Sequence, residues 1–361
     1  MRIRGDFGMP ATDPNSQNIF VIGSRTISFT SMASLLHNTR ELKTFVVDEG
    51  HGVKGLSELK IKSLPELFIQ PVEKRLDMSK VVPYESIPVI DMSNSDDLKV
   101  REAICDAAEK WGFFQIINHG VPLSIIDNVK DATHKFFMLP PEEKKKYLFK
   151  NSPTKNVRLV TSFIPEVDTV LEWKDYLSCF YVSDDEANSF WPSVCRDQVL
   201  EYLKNSESLI KRLLEALIKR LDIPKLDDKN KSNSYGIDAN KPKLLPYETG
   251  GLYVRKLDSE NWVHVPPIKG SLTINIGDAL QIMSNGLYKS IEHHVVANGN
   301  KNRISVPIFV NPRPNDVIGP LPQVINRGEK ALYKQVLYSD YVKHFYRKSH
   351  NGKDTIDFAK V

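Results

Sequence analysis

The stretch Ser290-Ile291-Glu292-His293-His294-Val295-Val296, with Arg303-Ile304-Ser305 starting ten residues after His293, decides how the carboxyl-terminal half of this chain is read. Both runs are bounded by turn formers, Asn285-Gly286 before and Asn298-Gly299-Asn300 between, so each predicts a short strand. Successive strand side chains point to opposite faces. His293 and His294 therefore cannot address one centre, whereas Arg303 and Ser305 share a face and Ile304 turns away. Taken alone, a strand histidine is usually an ordinary surface or core residue, and Arg-x-Ser is commonplace.

Working outward, residues 252–255, 262–265, 272–276, 279–283 and 303–310 give the same short apolar runs, punctuated by Pro266-Pro267 and Gly277-Asp278. Evenly spaced short strands of this kind predict a sandwich or jelly roll. The preceding half is helical in period. Ile87-Pro88-Val89-Ile90-Asp91 reads as a short buried strand, followed by a helix over 98–111 with cap candidates in 93–97 and Gly112 beyond its end. A strand over 113–118 and a helix through Ile125, Ile126, Val129 and Phe136 come next. Residues 197–221 carry a leucine stripe that reads as a core face. The run Glu142-Glu143-Lys144-Lys145-Lys146 predicts a solvated helix face, and a last helix is expected over 331–346. The fold class is α+β: a double-stranded β-helix (jelly roll) core with an amino-terminal helical region and a truncated sheet. Residues 1–44 read as an extension, disordered over 1–31, then 45–200 as the amino-terminal region and 201–361 as the jelly-roll domain, incomplete near 230–250.

A chain of 361 residues, 41% hydrophobic and 26% charged, is long enough to bury a large core. Its net charge of +4 is small and interspersed, so no nucleic-acid footprint emerges. Cys105, Cys179 and Cys195 have no CxxC spacing and read as reduced thiols, which excludes a zinc module and a disulfide frame. With no apolar run of membrane length and no signal peptide, the expected location is the cytoplasm.

Non-haem Fe(II) that activates dioxygen is held by two histidines and a carboxylate on one face. A 2-oxoglutarate co-substrate adds a far carboxylate, which suits the planar, permanently charged fork of an arginine. His293 with Arg303 and Ser305 supplies half of such a site.

Longer blocks turn that half-site into a resemblance. They are Trp111-Gly112-Phe113-Phe114-Gln115-Ile116-Ile117-Asn118-His119-Gly120, Phe136-Phe137-Met138-Leu139-Pro140, Asn275-Ile276-Gly277-Asp278, Ser284-Asn285-Gly286, Lys289-Ser290-Ile291-Glu292-His293 and Arg303-Ile304-Ser305. From about residue 45 to 361 the chain resembles the plant 2-oxoglutarate/Fe(II)-dependent dioxygenases. Through Gly52-Val53-Lys54-Gly55-Leu56-Ser57-Glu58-Leu59, Glu172-Trp173-Lys174-Asp175-Tyr176-Leu177 and Asn261-Trp262-Val263-His264-Val265-Pro266-Pro267 it is most similar to the coumarin-forming feruloyl-CoA ortho-hydroxylase branch. The resemblance implies His293 as the distal iron ligand, Arg303 and Ser305 as the 2-oxoglutarate clamp, and His119 as structural. It implies Fe(II) and 2-oxoglutarate, with ascorbate a candidate third cofactor, and a monomer acting on a small aromatic substrate such as a hydroxycinnamoyl-CoA thioester.

One part of the pattern is missing. The family carries a His-x-Asp strand upstream, yet none of His37, His51, His119, His134, His264, His293, His294, His344 or His350 has a carboxylate two residues on. Ser232-Asn233-Ser234-Tyr235-Gly236-Ile237-Asp238 leads almost directly to Gly250-Gly251, a gap on the order of thirty residues, or two to three strands with their connections. Tyr235, Asp238, Glu248 and Asp258 do not rebuild the pair. Either the gene model or its splicing has dropped a segment, or the chain is a degenerate paralogue. In both cases the expectation is an impaired catalyst, the rival being a pseudoenzyme that acts as a binding protein.

Overall fold

The computed structural model describes residues 38–59, 61, 63–162, 170–223, 244–246, 250–296, 303–325, 328, 330–347 and 354–361. The expectations for residues 1–31, 232–238 and the turn at 298–300 lie outside them. In chain order the elements are α1 (Gly52–Glu58), β1 (Val81–Val82), β2 (Val89–Asp91), α2 (Leu98–Lys110), β3 (Phe113–Ile117) and α3 (Leu123–Met138). Next come β4 (Val157–Thr161), β5 (Asp175–Cys179), α4 (Arg196–Arg220), β6 (Leu244–Pro246), β7 (Leu252–Arg255) and β8 (Trp262–Val265). The last are β9 (Leu272–Asn275), α5 (Asp278–Met283), β10 (His293–Val295), β11 (Val317–Ile318), β12 (Val336–Leu337) and α6 (Tyr338–Arg347).

Local chemistry fixes where α2 starts and stops. The Asp97 carboxylate accepts from the Lys99 amide at 2.9 Å, satisfying one orphan donor of the first turn. Gly112 closes the other end at φ +60, its amide donating to the Ala107 carbonyl at 2.9 Å. A Cβ at Gly112 would collide with the Lys289 backbone carbonyl, so the turn also sets how closely the segment before β10 approaches.

β3 is the hinge of the packing. Phe113 and Phe114 are both fully buried and point to opposite faces. Phe114 and Ile116 meet the helical layer, packing with Ile104 of α2, Ile126 and Val129 of α3, and Leu213 and Leu217 of α4. Phe113 turns the other way and joins Leu252, Val254 and Val265, which ties the sheet β2-β3-β9-β6 to the sheet β1-β8-β7-β10. This two-sheet sandwich with helices on one outer face matches the α+β expectation. His119 is structural: its Nε2 lies 2.9 Å from the Gly270 carbonyl and its Nδ1 accepts from the Val121 amide. Cys105, Cys179 and Cys195 are unpaired with one another. Among the described residues no helix is long and apolar enough to cross a membrane.

Four expectations need correction. Residues 279–283 are not a strand but lie in α5, where Asp278 sits in the first turn and Ile282 and Met283 are buried. So short an apolar run satisfies either period. Residues 303–310 alternate as a strand should, Val306, Ile308 and Val310 packing on the helical cluster, but join no ladder among the described residues. The last helix starts at Tyr338, not 331, because Val336 and Leu337 pair with β11. Lys144 is not solvated: it is 3% exposed. Burial pushes its ammonium below the usual lysine range, opposed by the charge of Asp175.

Asp175 anchors the amino-terminal segment. Its carboxylate accepts from the Val53 and Lys54 amides at 3.0 and 3.1 Å and from the Thr161 hydroxyl at 2.7 Å. Burial pushes this carboxyl above the ordinary aspartate range, and those three donors hold it back. Gly52, at φ +68, leaves room for it, since any Cβ there would overlap the carboxylate. Gly52→Ala is expected to destabilise the fold by about 2–4 kcal/mol through strain plus displaced hydrogen bonds. Urea unfolding should show a lower midpoint with an unchanged slope, and an unchanged midpoint would remove Asp175 as the anchor.

Candidate active site

β10 pairs antiparallel with β7 in the register His293↔Val254, His294↔Tyr253 and Val295↔Leu252. Residues directly opposite share a face. Val254 and Leu252 belong to the buried cluster between the sheets, so His293 and Val295 look inward, the His293 ring 5.2 Å from that of Phe113. His294 looks outward. The alternation has separated the two histidines.

The outward face is a packed row. Tyr253 stands between His264 and His294 on its two neighbouring strands, with its ring 5.1 Å from His264. Trp262 meets the His294 ring edge-on at 4.6 Å. Glu292 lies 3.7 Å from the His294 imidazole and 3.0 Å from the Arg255 guanidinium, and together they hold its carboxyl down at about 2 against the effect of burial. At 3.7 Å the imidazole is beyond hydrogen-bond reach, so the guanidinium is the firmer anchor. Gly251, at φ +86, lets the β7 backbone accept from the Val296 amide at 2.8 Å, where a side chain would strike the Val296 carbonyl. His294 is thus engaged in packing on the outward face, and His293 is the imidazole on the inward one.

That imidazole is nevertheless exposed, as is Val295 at 51%. The cause is topological. β10 is the terminal strand in the order β1-β8-β7-β10, and no described strand lies on its other edge. Arg303 and Ser305 do share a face, with Nη1 3.5 Å from Oγ, opposite to the side on which Val306 and Ile308 pack. Asp258 sits in the turn after β7 at φ +54, without a companion histidine, while Tyr235, Asp238 and Glu248 lie outside the described residues. Phe113 as the ring neighbour of His293 was not singled out from sequence. Its signal was there, in two consecutive phenylalanines on one strand, which demand two apolar layers. Likewise Gln281, whose Oε1 accepts from the Ser290 amide at 2.6 Å and whose Nε2 donates to the Tyr333 hydroxyl at 2.7 Å, fixes the approach to β10 from α5.

Two family models match: the non-haem dioxygenase amino-terminal family over residues 87–196 and the 2OG-Fe(II) oxygenase superfamily over residues 243–312. A feruloyl CoA ortho-hydroxylase of Ipomoea batatas is 55% identical over 356 residues, covering 91% of this chain and 99% of the relative. Feruloyl CoA ortho-hydroxylase 1 of Arabidopsis thaliana is 55% identical over 359 residues, covering 92% and 99%. A bi-functional coumaroyl CoA and feruloyl CoA ortho-hydroxylase of Ruta graveolens is 55% identical over 347 residues, covering 88% and 95%. Among solved structures, JOX2 in complex with 2OG, Fe and JA superposes with a TM-score of 0.71 at 27% identity, covering 86% of this chain and 97% of that one. The rice dioxygenase for auxin oxidation shares the fold with a TM-score of 0.58 at 20% identity, covering 76% and 100%. Fe(II) and 2-oxoglutarate are the cofactors of these oxidoreductases. The residues present here do not fit the iron: among those described, no three His, Cys, Asp or Glu side chains converge, and the whole sequence contains no His-x-Asp. By matched length and by identity, the chain belongs to the 2OG-Fe(II) oxygenase superfamily.

Proposed function

We propose that this polypeptide is a hydroxycinnamoyl-CoA ortho-hydroxylase from which the strand bearing two iron ligands has been lost, and that in this form it does not turn over 2-oxoglutarate. The substrate class comes from the feruloyl and coumaroyl CoA hydroxylases, which are similar over almost their whole length. His293 is the surviving iron ligand, and Arg303 with Ser305 is the surviving clamp for the co-substrate carboxylate. The sheet beside His293 is truncated.

The observation that carries this reading is a coincidence of two gaps. In the match to the Ipomoea batatas enzyme, 91% of 361 residues is about 329, so about 27 of the 356 aligned positions are filled by the relative alone. In the fold, the open edge of β10 runs beside the one remaining ligand. A segment of about that length supplies two or three strands. Its loss would remove a metal-binding histidine and carboxylate together. Losing only a residue that hydrogen-bonds a ligand costs about 10–100-fold in metal affinity or activity, so losing two ligands costs more. What remains is a chain able to hold a thioester but not to oxidise it. We place the loss in the transcript or gene model rather than in a long-diverged paralogue.

Anaerobic titration of the purified chain with Fe(II) and 2-oxoglutarate is expected to give no metal-to-ligand charge-transfer band, and addition of feruloyl-CoA under air no succinate. A stoichiometric band with turnover would sink the proposal. Inserting the relative's missing segment between Asp228 and Gly250 should restore both signals. In that restored chain His293→Ala should abolish the band, whereas His294→Ala should keep it and lower stability by about 1 kcal/mol through the lost Trp262 contact. Restored signals that survived His293→Ala would remove His293 from the site.

A further inference from the structure

Between α2 and α4 lies a cavity of about 320 Å³ that the oxygenase reading does not use. Its buried wall is apolar, formed by Ile104, Ala216 and Ile218, while Arg101, Arg212, Glu215 and Lys219 line the rest, with Asp96 exposed at the rim. The state of these charges is unusual. Among the described residues, no ion pair or hydrogen bond engages the side chains of Arg101, Asp96, Glu215 or Lys219. Arg212 is held by neutral partners only, Nη1 donating to the Ser95 hydroxyl at 2.8 Å and Nη2 to the His119 carbonyl at 3.1 Å. The Nε atoms of both arginines are buried and meet no acceptor.

Those Nε atoms are sealed from the cavity as well as from water, so the donors that can reach a ligand are the terminal nitrogens of the two guanidiniums. The lining carries three cations, Arg101, Arg212 and Lys219, against two carboxylates, Asp96 and Glu215, so one positive charge is in excess. Neither guanidinium is bonded to a carboxylate among the described residues, and both stand beside an apolar wall. We infer that the α2–α4 cavity is a binding site for a small carboxylate with an apolar body, its head on Arg101 and Arg212 and its body against Ile104 and Ala216. Planar guanidinium forks match a carboxylate in two-point geometry, and the volume lies at the lower end of ordinary small-molecule pockets. The site is independent of iron and of the proposed loss beside His293.

Ferulate is a suitable probe, titrated calorimetrically into the full chain without metal. One-to-one binding is expected, with no saturable heat from the decarboxylated analogue or from inorganic phosphate at the same concentration. Arg101→Gln should weaken ferulate at least about tenfold, the equivalent of ~1.4 kcal/mol, with an unchanged circular dichroism spectrum. His293→Ala should leave the affinity as it was. Absence of ferulate binding, equal binding of phosphate or of the decarboxylated analogue, or loss in His293→Ala with retention in Arg101→Gln would each overturn the assignment.

Discussion

His293 is held in place by three residues of ladder with β7 and by no described strand on its other side. Everything distinctive about this chain follows from that. A strand fixes a side chain through the neighbours that fix the strand, and an oxygen-activating iron needs donors from more than one element brought to a common point. In the proposed reading a single missing segment would have met both requirements, pairing the outer edge of β10 and delivering the other two ligands beside it. Its absence costs geometry and chemistry together. The register turns His293 inward and His294 into the Trp262 and Glu292 cluster, so the two imidazoles stand on opposite faces of β10.

In the proposed reading the consequences for stability are smaller than those for catalysis, for a reason that lies in the packing. The largest buried apolar cluster lies between α2, α3, α4 and the outer face of β3 and β9, centred on residues such as Phe114, Tyr202, Leu213 and Leu272. The cluster that reaches β10 is separate and small: Ile87, Phe113, Leu252, Val254, Val265 and Ile291. Hydrophobic stabilisation scales with the area buried, so the helical layer contributes far more than the cluster at β10, and it lies across β3 from that open edge. A folded but inert protein is therefore physically coherent.

The sequence was most legible where local and tertiary demands agree. The bounds of α2 follow from Asp97 and Gly112, the stripe of α4 from its leucines, and the opposite facing of His293 and His294 from strand period alone. It was least legible where the partner decides. The 279–283 run took the helical reading because Gln281 anchors Ser290 and Tyr333 from α5, contacts invisible to a five-residue pattern. Lys144 looked solvated because its neighbours in sequence are, while the half-buried Asp175 whose charge opposes its burial comes from β5. Residues 303–310 have the alternation of a strand without the ladder, since pairing is a property of two segments and a period belongs to one.

The open edge also bears on how the segment came to be missing. Proteins that keep an exposed edge strand blunt it, with lysine or proline on the strand, a bulge, or a covering element, because unpaired backbone donors beside apolar side chains template aggregation. β10 shows none of these on the strand: it reads His293-His294-Val295, followed by Val296, with Val295 51% and Val296 41% exposed. In the proposed reading the clamp and the turn residues are retained as well, Arg303, Ser305, Gly250 and Gly251 standing where the resemblance places them. A paralogue long relieved of iron chemistry would have had reason to change both, protecting the edge and losing the clamp. In the proposed reading, an edge that no described strand covers, beside a retained half-site, is what results when a strand is removed from an otherwise maintained enzyme, which favours a transcript or gene-model origin over slow degeneration.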